Sequence, residues 1–140
     1  MFSKKLFILV LTATVLSSGC SLRRTAVKYT SGIMYESLPV FYEEDDVQTV
    51  KETMLSSVKF SEGLLQSDPD NQKLNELTSQ GYCGYAFMFL EDDNAKRASR
   101  MYRKGMDYSE ELLRKQGILT DSGLNKKKIT KKTSDAGAPT

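Results

Sequence analysis

From Asp45 onward the apolar residues recur at helical spacing. Val47, Val50, Met54, Val58, Leu64 and Leu65 form one stripe, which predicts a helix over 46–66 with Asp45 or Asp46 as its N-cap. The run Ser67-Asp68-Pro69-Asp70-Asn71 should end it, because residues before proline are biased away from the helical region. A second helix is predicted over 71–90. Leu74, Leu77, Gly81, Tyr85 and Met88 share a face there, with Tyr82, Ala86 and Phe89 beside it. Its second half, GYCGYAFMFL, is apolar nearly all round, as in helices sandwiched by neighbours on two sides. Aromatic residues also suit strands, but Ala86, Met88, Leu90 and the helical lead-in favour helix. After a break at EDDN, residues 91–94, a third helix is predicted over 95–116. Ala95, Ala98, Tyr102, Gly105, Ser109 and Leu112 form its inner face, flanked by Met101, Tyr108 and Leu113. Lys96, Arg97, Arg100, Arg103, Lys104 and Arg114 lie opposite, a pattern that ordinarily marks a solvated face, and Gly117 is a C-cap signal.

The flanking segments read differently. Residues 1–19 combine Lys4 and Lys5, an apolar run from Leu6 to Leu16, and the small residues Ser17, Ser18 and Gly19. These are the three parts of a secretory signal, and the run is too short to span a bilayer as a helix. Residues 20–45 mix polarity around Gly32 and Pro39 and are expected to be an anchor and linker with little regular structure, in which Ile33, Met34, Leu38, Val40 and Phe41 lie against the first helix or form a short helical piece. Residues 118–140 are polar and rich in lysine and are expected to be a disordered tail. The helical domain is thus bounded at 46–117, in an all-α fold.

Charge and composition narrow the function. The chain carries 20 Lys and Arg against 18 Asp and Glu. Residues 20–119 are net acidic and the last 21 residues net basic, and the helical part offers no nucleic-acid surface. There is no histidine, so the commonest general base and metal ligand is missing. No nucleophile–base pair, phosphate loop or metal-ligand spacing is visible, so the reading is of a non-enzyme without cofactor or metal. The acidic runs at 43–46 and 91–93 lack the spaced ligands and glycine of a calcium loop and read as helix caps. Cys83 has no charged neighbour in sequence and reads as a buried, inert thiol. Gly81 and Gly84 read as sites of close helix contact or of ligand approach.

Three strings carry family resemblances. LSSGC at 16–20 resembles the lipobox of bacterial lipoproteins, with Leu16 one place further from the cysteine than usual. That resemblance implies cleavage before Cys20, acylation of Cys20, and membrane anchoring facing the periplasm. Ser21, where an Asp would signal inner-membrane retention, points to the outer membrane. LLQSDPDNQKL resembles the join between tetratricopeptide (TPR) hairpins, in degenerate form: Asn75 stands where Trp or Leu is usual, and no second period is visible. Together with SQGYCGYAFMFLEDD and AKRASRMYRKGMDYSEELL, in this order and spacing, it resembles the T-component (TatT) lipoproteins of tripartite ATP-independent periplasmic (TRAP) transporters. Members of that family extend through further helices, so this chain is expected to be a shortened one, and their deep binding surface is not carried over.

The resemblance implies a periplasmic partner, the solute-binding protein of a TRAP transporter, in uptake of a small organic ligand. Self-association to a homo-oligomer is the other route by which three helices would cover their apolar surface. A structural envelope lipoprotein and a carrier of a small apolar ligand are the alternatives. Core packing is the default role of the aromatic residues. If some face a partner, Tyr82, Tyr85, Phe89, Tyr102 and Tyr108 are the candidates, since aromatic residues are enriched at interface hot spots.

Overall fold

The computed structural model describes residues 19–136, with side chains over 22–133. Its helices are α1 (Gly19–Glu36), α2 (Leu38–Tyr42), α3 (Val47–Leu65), α4 (Gln72–Phe89), α5 (Ala95–Lys115) and α6 (Lys126–Ala136). A two-stranded antiparallel hairpin, β1 (Leu119–Thr120) and β2 (Gly123–Leu124), separates the last two. The class is all-α, as the periodicity predicts.

Each of the three main helices begins at a side-chain cap. The Asp46 carboxylate accepts from Gln48 N–H at 3.0 Å and from the Thr49 hydroxyl at 2.6 Å. Asn71 Oδ1 accepts from Leu74 N–H at 3.1 Å, and Asn94 Oδ1 from Arg97 N–H at 3.0 Å. These bonds satisfy donors that a helix start otherwise leaves without partners. α5 ends in a Schellman motif: Gly117 adopts φ 63°, its N–H donates to the Arg114 carbonyl, and Ile118 N–H donates to that of Leu113.

α4 is the central helix, between α3 and α5. Its buried positions are Leu74, Asn75, Thr78, Ser79, Tyr82, Tyr85 and Ala86. The face is turned from the one that apolar residues alone predict. Met88 is exposed, while Thr78 and Ser79 are buried because their hydroxyls have partners on the neighbouring helices. Ser61 and Thr78 hydroxyls bond across α3–α4 at 2.6 Å. Ser79 Oγ donates to the Gly105 carbonyl at 2.8 Å across α4–α5 and also meets the Ser109 hydroxyl. A buried hydroxyl without such a partner would cost about 1–3 kcal/mol. Two apolar clusters complete the core. One joins Tyr85, Ala86, Leu90 and Ala98; the other joins Val27, Leu65 and Leu74.

Two expectations need correction. Residues 20–45 are mostly helical rather than irregular, in α1 and α2. Val27, Ser31 and Met34 follow helical spacing, but the buried Ser31 interrupts the apolar stripe and hides it in the sequence. Its hydroxyl is satisfied by the Lys28 carbonyl and by Asn71 Nδ2, which donates to it at 3.2 Å. Within 118–136 the chain is also ordered rather than a disordered tail. Ile118 is buried, its carbonyl accepts from Asn125 N–H at 2.8 Å, and the Asn125 side chain, just before α6, accepts from Lys128 N–H at 3.3 Å. Lysine is a fair helix former, so a capped lysine-rich segment folds as helix without an apolar face.

Candidate functional site

The five aromatic candidates separate into two groups. Tyr82 and Tyr85 are buried, with 1% and 5% of their surface exposed, so neither is a contact residue for a partner. This corrects the expectation for both: their positions on α4 face the helical neighbours. Phe89, Tyr102 and Tyr108 are half-buried. Tyr85 packs on Phe89 with ring centroids 5.3 Å apart, and the Tyr102 hydroxyl donates to Glu91 at 3.1 Å.

Tyr82 and Tyr108 instead form a polar cluster around Glu62 on α3. Their rings stack, 6.2 Å apart and 9° from parallel, and both hydroxyls donate to the Glu62 carboxylate at 2.9 Å. Lys59 also donates to that carboxylate, and Lys104 pairs with it at 3.6 Å while lying 5.0 Å from the Tyr82 ring centroid. The cluster ties α3, α4 and α5 together through one acid. Periodicity gave no sign of it, since Glu62 sits at an edge between stripe and solvent.

Burial alone would raise the Glu62 pKa, but the bonds from Lys59, Tyr108 and Tyr82 and the charge of Lys104 outweigh it and hold the group at about 2. The same environment, burial first and then the Glu62 carboxylate, raises both tyrosine hydroxyls above their ordinary range. A carboxylate whose pKa is depressed on folding stabilises the protein fully above its ordinary value of 4.5, and that stabilisation fades as pH falls towards 2. After allowance for solvent screening the contribution is on the order of 1–2 kcal/mol. Thermal melts between pH 6 and 2 should therefore show a loss in the wild type, below about pH 4.5, that is reduced in Glu62→Gln. Parallel curves would remove Glu62 from this role.

An apolar surface feature lies on the other side of α4. An apolar groove of about 590 Å³ runs between the α1–α2 segment and the α3–α4 pair. Met34, Leu38 and Phe41 form one wall, Met54 and Phe60 the other, and Gly81 and Gly84 open its floor. A methyl at Gly84 would sit 3.0 Å from Met54 Cε, and one at Gly81 would overlap Val58 Cγ2. The sequence signalled the floor through its two glycines. The wall was legible only in part: Met34, Leu38 and Phe41 are apolar enough to lie against the first long helix, but within a stretch that reads as a linker. The volume falls in the range of small-molecule sites, and the lining is suited to apolar contact rather than to proton transfer. Cys83 lies away from it against Gly105, and burial pushes its thiol pKa up, as expected of an inert thiol. Among the described residues no cluster of acids and cysteine is placed to hold a metal. The signal-like segment 1–18 and the Cys20 side chain lie outside the described residues.

Helices around a capped, hydroxyl-linked core, with an open apolar groove on one side, define a small all-α protein. The sequence comparisons specify it further. The family model for the TRAP transporter T-component (TAtT) matches residues 43–136, and the chain belongs to that family. The match spans α3 to α6, past position 117 where the periodic pattern ends. Comparison with curated proteins and with solved structures gave no match.

Proposed function

We propose that this protein is a lipid-anchored, periplasm-facing T-component that binds the solute-binding protein of a TRAP transporter in uptake of a small organic ligand. Family membership assigns it to the TRAP transporter system. The observation that carries the docking step is the apolar groove beside α3 and α4, with Tyr42, Phe60 and Met88 more than half exposed at or along its rim. Contiguous exposed apolar surface of this kind marks interaction sites. Acylation of Cys20 would keep the domain on the membrane, in the outer membrane if the residue after the cysteine sorts it.

The experiment is sedimentation of the protein alone and with the TRAP solute-binding protein of the same organism. Complex formation is expected, weakened at least about tenfold by Phe60→Glu or Met88→Glu, since each places a charge in an apolar contact. A stable monomer that ignores the solute-binding protein would reject the reading and leave a structural envelope lipoprotein in front. The groove volume favours a second reading, a carrier of a small apolar ligand. Native mass spectrometry showing a retained apolar molecule, lost in Gly84→Leu, would support it.

A further inference from the structure

Three segments meet at one end of the bundle, marked by the α3–α4 turn at residues 66–71. α1 packs there through Val27 on Leu65 and Leu74, and through Ser31 on Asn71. Further along, Met34, Leu38 and Phe41 line the groove with Val58 and Met54, so the α1–α2 segment runs from the turn towards the opposite end. The part of α1 before Val27 therefore projects past the turn, and its residues 22–26 are exposed. Cys20 precedes Val27 by seven residues, about 10 Å of helix. α5 ends at the same turn: Lys115 Nζ donates to the Pro69 carbonyl at 2.7 Å and pairs with Asp70 at 3.1 Å. α6 is tied back to this end by Asn125 N–H on the Ile118 carbonyl and by Lys132 Nζ on Gln116 at 2.6 Å. The start of α1 and the lysine-rich helix thus share one end of the molecule.

The charge at that end is unbalanced. α6 exposes Lys126, Lys127, Lys128, Lys131 and Lys132, and among the described residues none of them is in an ion pair. Nearby acids offset only part of it: Asp121 is paired with Arg114, Asp70 and Glu111 share Lys115, and Asp68 in the turn accepts from Asn71 Nδ2. Exposed Arg23, Arg24 and Lys28 add to the excess from α1.

We infer that this end of the bundle is a docking surface for anionic phospholipid headgroups. The inference rests on the proposed lipid anchor for its geometry. An acylated Cys20 brings the projecting start of α1 to the bilayer, and the lysines then stand within about a Debye length, ~8–10 Å, of the headgroups. The negative potential of an anionic bilayer acts over that distance. Ile129 is the one large apolar residue of α6, so the helix adsorbs by charge at headgroup level and does not insert. The acidic remainder of the domain is turned away from the surface, which orients the tethered domain end-on.

The test is sedimentation of the full chain carrying Cys20→Ser with lipid vesicles, which removes the acyl anchor from the measurement. Vesicles of phosphatidylcholine alone report the contribution of the apolar N-terminal run, and vesicles containing phosphatidylglycerol report the charge term. Tighter, salt-sensitive binding to the anionic vesicles is expected. Changing the five α6 lysines to Gln should weaken it at least about 30-fold, taking roughly fivefold per lysine for those that face the surface. Changing them to Arg should preserve it, and circular dichroism of each variant checks the fold. Equal binding to both vesicle types, or an unchanged Gln variant, would overturn the inference. Tight binding to duplex DNA without binding to anionic vesicles would overturn it too, and assign the lysines to nucleic acid. Failure of Cys20 to be acylated would remove the tether and leave the vesicle result intact, so the two readings fail separately.

Discussion

A single methyl group added at Gly105 is expected to destabilise the protein by about 2 kcal/mol and lower its melting temperature by about 10 °C. Gly105 is buried in α5 where it crosses α4. A Cβ there would overlap the Cys83 sulfur and come within 2.8 Å of the Ser79 carbonyl oxygen. The sulfur can rotate away, but the carbonyl belongs to the backbone of α4, so the two helices must move apart. Alanine in place of glycine improves helix propensity by about 1 kcal/mol, and the expected loss is what remains after that gain. Gly63 in α3 gives the control, because a Cβ there meets nothing within 4 Å. Gly63→Ala should raise the melting temperature by a few degrees. Thermal melts of both variants read the two signs. A Gly105→Ala protein as stable as the wild type would show that the α4–α5 contact is looser than described.

Cys20→Ser is expected to have the larger effect, on location rather than stability. If Cys20 is acylated, each buried methylene contributes about 0.8 kcal/mol to membrane partitioning, and two or more chains make a durable anchor. Serine lacks the thiol that forms the lipid-bearing linkage, so labelled fatty acid should not be incorporated. The protein should shift to the unprocessed or soluble fraction. Metabolic labelling followed by fractionation checks both outcomes. Equal labelling of the variant would reject the lipoprotein reading. The described helices do not offer another means of anchoring by a span, since none among the described residues is long and apolar enough to cross a membrane.

Period and punctuation made the three main helices legible. Asp46, Asn71, Asn94 and Gly117 all act at helix ends, because caps depend on local chemistry that survives any tertiary context. What periodicity hid were buried positions filled by polar residues. Ser31, Ser61, Thr78 and Ser79 look like solvent-facing positions in a hydropathy pattern, and each is buried with its hydroxyl bonded. That is why α1 read as a linker and why the inner face of α4 was placed partly wrong. The groove was hidden by the same error, since one of its walls, Met34, Leu38, Phe41 and Tyr42, comes from α1 and α2. Tyr82 and Tyr85 were singled out as aromatic, but ring type does not tell a core from a contact surface.

The hydroxyl pairs between the helices also set how the molecule moves. An apolar helix contact tolerates sliding, because one methyl replaces another at little cost. Here a shift of α3 or α5 by one turn, 5.4 Å along α4, would separate Ser61 from Thr78 or Ser79 from the Gly105 carbonyl and leave buried oxygens bare. The three main helices are therefore locked in register and behave as a single stiff block. The α1–α2 wall is joined to that block mainly near the turn, so changes in groove width fall on this wall. The groove thus has a floor fixed by hydroxyl pairs and one wall held at a single end.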